Sequence, residues 1–395
     1  MSTHYHARSL TFNRNTFKNE DFDGKMKVDC LGEETEKNVK ENTNYTSRKT
    51  YIDFLRIIAI AMVLFNHTAY TGYTLFAEKQ QSPFYMFYIC NSIYIKCAVP
   101  LFLMASGALL LHKNESYSDV LKRFFKFLFL LIAASFIDYL YKCFYLQSMA
   151  FSVREFFTLI YAKPISTAMW YLYAYLAFIL MLPFMRVLAQ NMDDRAFYWM
   201  FGLNLIINIL PILEELGTQG QLRLNNNFTF FISKQFFLYP LIGYYIDRRI
   251  RKEQLKFGIA FLMLVIGAAS VLLCAYLTHW KCTYTGTWNA DKFETFFNRL
   301  IFLPATATFY AARYLFEKFQ MGRISSRIVS AIGSATFGVF LLEEICRLTT
   351  KPVFDHMNLH IPTICACWLW VLSACAMGIV ITLILKKLPL VSKVL

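Results

Sequence analysis

Charge is what this 395-residue chain has least of. Asp, Glu, Lys and Arg together make 17% of it, where a soluble domain carries about a quarter. That shortage excludes an ordinary soluble protein of this length. Chemical signatures are missing as well. No GxxxxGK[ST] phosphate loop, dinucleotide-binding glycine fingerprint, HExxH or zinc-ligand spacing occurs, so the sequence offers no ground for a metal or a redox cofactor. The ten cysteines include no CxxC pair and mostly fall in apolar runs, so they are expected to be small buried hydrophobes, not a disulfide framework. The first 50 residues are polar and hold no apolar signal core, so no secretory signal peptide is expected.

What is present is apolar and aromatic: 57% hydrophobic residues, with 39 Phe and 24 Tyr. The apolar residues gather into spans at approximately 51–70, 85–111, 124–146, 168–189, 196–213, 228–246, 257–278, 296–315, 328–346 and 361–385. Runs of about 20 residues suit membrane-crossing helices, while barrel strands are half as long and alternate. The expected fold class is therefore all-α: a polytopic membrane helix bundle of about ten transmembrane helices. Residues 1–50 carry nine Lys/Arg and eight Asp/Glu with few apolar residues, which predicts a disordered polar cytoplasmic tail. Residues 51–390 make one membrane domain. The connecting loops are too short for a soluble catalytic domain, so any chemistry takes place within or against the bundle.

The formal net charge of +14 invites nucleic acid as a partner, but its distribution answers to the lipid bilayer. Taking the loops alternately, one set holds fifteen Lys/Arg and the other eight. The positive-inside rule assigns the richer set to the cytoplasm. Both termini are then cytoplasmic, in a multi-pass protein of the plasma or inner membrane. The most basic loop is Asp247-Arg-Arg-Ile-Arg-Lys252.

Ionisable residues inside apolar spans are costly and mark sites or networks. Arg56 and His67 share the first span. Eleven residues apart, they return to within about 20° of one helical face, roughly 16 Å apart along it. Neutral imidazole is suited to taking a proton near pH 7; a buried structural histidine is the plainer reading of His67, and snorkelling that of Arg56. Lys96 lies in the second span, at about the depth of His67, either orienting a substrate group or sitting in a structural pair. Asp138 and Lys142, four apart, suit a local ion pair. Glu343 and Glu344 occur together with Arg347 one turn on, as an outer lining or as a paired network. Trp170, Tyr171, Tyr173 and Tyr175 read as an interfacial aromatic belt or as a stacking surface for sugars.

The first span, Asp53-Phe-Leu-Arg56 through Phe65-Asn-His67, resembles the arginine–ten residues–histidine signature of the type-three membrane acyltransferase family. Ala98-Val-Pro-Leu-Phe-Leu-Met-Ala-Ser-Gly-Ala-Leu-Leu110, Lys122-Arg-Phe-Phe-Lys126, Met169-Trp-Tyr-Leu172 with Pro183, Phe237-Leu-Tyr-Pro-Leu-Ile-Gly-Tyr-Tyr245 and Ser334-Ala-Thr-Phe-Gly-Val-Phe-Leu-Leu342 are similar to later family segments in the same order. Two positions depart from the pattern. Met169 and Glu343 stand where many members carry histidine, which bears on substrate. The resemblance covers about 51–390. It implies transfer of an acyl group, most commonly acetyl, from cytoplasmic acyl-CoA as co-substrate to a hydroxyl of an extracytoplasmic glycan or lipid-linked sugar. It also implies catalytic roles for His67 and Arg56; Arg56 with Lys122, Arg123 and Lys126 are the candidates for binding acyl-CoA, Arg123 foremost by the family pattern, while positive-inside anchoring is the plainer reading of the three-residue cluster. For the acceptor the candidates are Lys96, Glu343 and Trp170. No tightly bound cofactor is expected. A transporter or flippase for a glycan precursor or small metabolite is the rival class; such proteins often carry internal repeats, and none is evident here.

Overall fold

Helices pack directly on helices throughout a computed structural model that describes residues 49–219, 221–225, 235–288, 296, 298–319 and 321–392, with no strand among them. The expected polar tail over 1–50 lies almost wholly outside the described residues, as do parts of the loops after 219 and 288. The elements are α1 (Thr50–Asn66), α2 (Tyr85–Ile95), α3 (Ala98–Leu110), α4 (Tyr117–Leu140), α5 (Val153–Ala162), α6 (Trp170–Asn191) and α7 (Asp194–Thr218). They continue as α8 (Gln235–Tyr244), α9 (Phe257–Thr285), α10 (Phe302–Lys318), α11 (Arg323–Leu341), α12 (Glu343–Thr349), α13 (Lys351–Met357) and α14 (Thr363–Leu385).

Six of these stretches are long and apolar enough to cross a membrane: Tyr85–Leu110, Thr167–Asn191, Asp194–Thr218, Phe257–Thr285, Arg323–Leu341 and Thr363–Leu385. The spans expected at 51–70, 124–146, 228–246 and 296–315 contain α1, α4, α8 and α10; residues 228–234 and 297 lie outside the described residues. They fall outside that measure, so length and apolarity support six crossings and do not by themselves reach ten.

The helix α1 is the hub. It packs against α2, α3, α10, α11 and α14, and Leu55, Ala59, Leu64 and Phe65 on it have no solvent exposure. Its start is pinned by one carboxylate. Asp247 lies in a π turn, Tyr245–Arg249, that follows α8. It accepts a hydrogen bond from Lys49 Nζ at 2.6 Å and another from the Tyr51 hydroxyl, and Arg248 Nε pairs with it at 2.9 Å. Three donors on one buried acceptor compensate its desolvation and fix the register of α1 against α8.

Small residues let backbones approach, as membrane helix pairs require. The crossing of α3 with α8 rests on Gly107 and Gly243. A Cβ on Gly107 would lie 1.9 Å from the Pro240 carbonyl oxygen, and one on Gly243 2.0 Å from that of Met104. Gly333 on α11 likewise lets that helix pass against Asp53 of α1.

The second predicted span is broken after Ile95. Pro100 has no N–H to offer the Lys96 carbonyl, and its ring crowds that carbonyl. The chain answers with tighter bonds, Lys96 N–H to Ile93 O at 3.1 Å and Cys97 N–H to Tyr94 O at 3.0 Å. The first span ends at Asn66, earlier than the predicted 70. There the Thr68 hydroxyl bonds the Phe65 carbonyl at 2.6 Å and the chain enters a short 3₁₀ turn. His67 is therefore the residue that closes α1.

Gly107→Ala is expected to lower the melting temperature of the detergent-purified protein, since overpacking of this kind costs about 1–3 kcal/mol. Gly202→Ala, at a position with open space around it, is the comparison and should melt as wild type does. Equal melting of the two variants would show that the α3–α8 crossing is not close-packed.

Candidate active site

Four of the residues singled out from sequence stand at helix interruptions on one level of the bundle. His67 closes α1, Lys96 sits at the break between α2 and α3, Trp170 opens α6, and Glu343 opens α12 after a kink at Leu342. Side chains at such breaks leave the regular helical rows and can converge.

His67, Lys96 and Trp170 line one cavity of about 360 Å³, with Asn66, Asn298 and Phe340 among the other walls. That volume lies within the usual range for small-molecule sites, about 300–1,000 Å³. The carbonyl oxygen of the Asn66 side chain is buried there without a hydrogen-bond partner among the described residues. Lys96 Nζ lies 4.7 Å from the centre of the Tyr73 ring, a cation–π contact that holds the ammonium at the cavity.

Glu343 is not part of that lining; the structure puts it behind His67. Its carboxylate is 2% exposed, and Oε1 lies 3.3 Å from His67 Nδ1. That is ion-pair distance, without the alignment of a hydrogen bond. The same oxygen accepts from Arg347 Nε at 2.8 Å, and the Trp370 indole N–H bonds the Arg347 carbonyl at 2.9 Å. The network reading of Glu343 with Arg347 holds, and the network extends to the histidine. A hydrogen bond from Nδ1 to that carboxylate, formed by a small closure of this distance, would leave Nε2 as the basic nitrogen.

The local pair expected between Asp138 and Lys142 does not form. Lys142 falls in a π turn, Tyr141–Tyr145, that extends α4. The widened turn redirects it to the Ile165 carbonyl at 2.6 Å and to Glu344 Oε1 at 3.1 Å. Asp138 is buried, and neither carboxylate oxygen has a hydrogen-bond partner among the described residues.

Arg56 lines a second cavity of about 240 Å³, together with Lys126, Ser106, Tyr175, Ser334 and Thr336. Among the described residues Arg56 makes no ion pair. Phe102, Tyr171 and Phe340 line both cavities. The Tyr171 ring meets Phe340 edge-on at 5.7 Å and Phe102 at 6.2 Å. The two ends of the Arg56–His67 face thus open on two chambers with one aromatic wall between them. The expected aromatic belt divides accordingly: Tyr171 and Tyr175 line the chambers, and Tyr173 donates to the Ile160 carbonyl at 2.6 Å. Ser106 and Asn298 were not singled out in the sequence, since a lone small polar residue in an apolar span reads as packing.

The basic cluster of α4 splits. Lys126 reaches the Arg56 cavity. Lys122 is three-quarters exposed and paired with Asp119 at 3.3 Å. Arg123 Nη2 binds Glu115 Oε1 at 2.6 Å, while Arg186 binds the other oxygen at 2.7 Å. Burial pushes the Glu115 carboxyl up, but hydrogen bonds from Arg186 and Arg123 outweigh it and hold the group below the ordinary carboxylate range.

Chemically, a histidine that lines an internal cavity with a carboxylate beside it can take a proton from, or give one to, a group held in that cavity. The chain belongs to the acyltransferase 3 family, whose acyltransferase domain matches residues 49–387; it is a membrane acyltransferase. Neither the curated proteins nor the solved structures include a match to it.

Two outcomes are expected here. Because the folded-state pKa of Glu115 is depressed, its contribution to stability is complete above the ordinary glutamate value of about 4.3 and is lost as pH falls through the lower value. Melting temperature should then drop between about pH 5 and pH 3 more steeply for wild type than for Glu115→Gln; parallel profiles would contradict this. Glu343→Gln keeps the size of the side chain and removes its charge from His67. It should lower kcat for acyl transfer at least tenfold, within the ~10²–10⁴ that a positioned base supplies, and leave the donor KM unchanged. A raised KM at constant kcat would place Glu343 on the donor instead.

Proposed function

We propose that this acyltransferase takes an acyl group, acetyl in the first instance, from acyl-CoA on the cytoplasmic face. It delivers the group to a hydroxyl of a glycan or lipid-linked sugar on the opposite face of the plasma membrane. The observation that carries the reading is the two-chamber arrangement. His67, backed by Glu343, faces one cavity; Arg56, eleven residues back on the same helix, faces the next, and three aromatic residues form the shared wall.

The excess of Lys and Arg on one set of loops supports a cytoplasmic Arg56 side and cytoplasmic termini. Coenzyme A carries phosphates and a long narrow thiol arm. Arg56 and Lys126 supply the fork and the point charge that phosphate or the polar arm would bind. The thioester then extends toward the aromatic wall. At His67, Nε2 takes the proton of the acceptor hydroxyl as its oxygen attacks the thioester carbonyl. The C–S bond breaks, the proton passes to the departing thiolate, and an ester and free CoA result. Lys96, in the same cavity, is positioned to stabilise oxyanion charge as the carbonyl becomes tetrahedral. Trp170 offers a ring face for a sugar.

The test uses purified protein in lipid with radiolabelled acetyl-CoA and a mixture of cell-envelope glycans. His67→Ala should lose ~10²–10⁴ of the transfer. Arg56→Ala should raise the KM for acyl-CoA about tenfold or more, the worth of a charge-assisted hydrogen bond. Unaltered transfer by His67→Ala would overturn its role as base. Absence of acyl-CoA binding by wild type would favour the transport class.

A further inference from the structure

A further cavity belongs to neither chamber. It measures about 470 Å³ and lies between α7, the π turn after α8, α9 and α10. Its lining is largely apolar, with Ile259, Met263, Ile266 and Phe302, and includes the polar Arg249, Asp194 and Gln254. It opens where α7 and α9 face outward: only 22% and 28% of their apolar windows are buried.

Three polar atoms at this slot are shut off from solvent and have no hydrogen-bond partner among the described residues: Arg249 Nε, Thr306 Oγ1 and the Tyr310 hydroxyl oxygen. Leaving such groups unsatisfied is costly, so a partner that supplies the missing hydrogen bonds is favoured. Two other charges of the basic loop are already engaged. Arg248 pairs with Asp247 and meets His112, and Lys252 pairs with Glu317. Arg249 is held by the Met192 and Gln190 carbonyls through one Nη atom, and its side chain lines the slot.

We infer that this slot binds one anionic membrane lipid, a phosphodiester with a hydroxyl-bearing headgroup such as phosphatidylglycerol. The phosphate sits at Arg249, a headgroup hydroxyl donates to Asp194, and an acyl chain lies along Ile259, Met263 and Ile266. Charge complementarity selects the phosphate, the bilayer-facing opening selects a lipid over a soluble anion, and the Asp194 carboxylate disfavours a second negative charge. The site is independent of the acyl-transfer reading.

Native mass spectrometry of the full chain in detergent tests it, with phosphatidylglycerol, phosphatidylcholine and glycerophosphoglycerol as probes. Wild type should retain one phosphatidylglycerol about tenfold more tightly than phosphatidylcholine. Arg249→Gln should lose that preference. Met263→Trp fills the apolar part of the slot and should lose it too, while Leu264→Trp, on another face of α9, should keep it. The inference is overturned by equal retention of the two lipids in wild type, by wild-type preference in both Arg249→Gln and Met263→Trp, or by glycerophosphoglycerol displacing the lipid at equal concentration.

Discussion

An ionised side chain in an apolar helix bundle has to be paired or turned to a cavity, because the energy of burying it alone exceeds what packing can return. That constraint organises this protein. Asp247 gathers Lys49, Tyr51 and Arg248 at the start of α1. Glu115 joins Arg123 to Arg186. Glu343 holds His67 and Arg347 together. The first two fix how α1, α4, α6 and α8 sit; the third leaves one imidazole both oriented and open to a chamber. Arg56 satisfies the same constraint by lining a cavity.

Helix interruptions do the positioning. A regular helix presents its side chains in rows set by its period, which suits packing but converges nothing. The bundle breaks its helices at Lys96, His67, Leu342 and Met169, and around those breaks the groups of the His67 cavity and its backing carboxylate assemble. Each break has a local cause or a local bond, such as Pro100 withholding an N–H from Lys96 or Thr68 capping Phe65. Side-chain convergence of this kind is how a bundle without a soluble domain builds a site inside itself.

Much of the helical layout was legible from apolar length alone, because a bilayer admits few other solutions. So was the shared helical face of Arg56 and His67, which needs only the helical period. Glu343 was visible as a carboxylate in an apolar run, but not as the partner of His67, since no local rule joins α12 to α1. Lys142 was assigned to Asp138 by four-residue spacing, and the π turn defeated that spacing. Hydropathy cannot see a π turn, because it depends on which backbone carbonyl each N–H finds. Nor does a basic cluster announce which of its members faces inward: Lys126 reaches a cavity, while Lys122 stays at the surface with Asp119. The end of α1 at Asn66 was overrun for the same reason, as Thr68-Ala-Tyr70 is apolar enough to continue the span. The partition formed by Phe102, Tyr171 and Phe340 was illegible, since aromatic residues in a membrane span are ordinary.

The central claim is that donor and acceptor enter from opposite faces and meet across that aromatic wall. Its most direct test is sidedness in proteoliposomes carrying the protein in one known orientation. Labelled acetyl-CoA is supplied either inside or outside, and glycan acceptor on the same or the other side. The account predicts labelled glycan only when acetyl-CoA is on the face of the Arg56 cavity and the acceptor is on the face of His67. Transfer with both substrates confined to one face would contradict it.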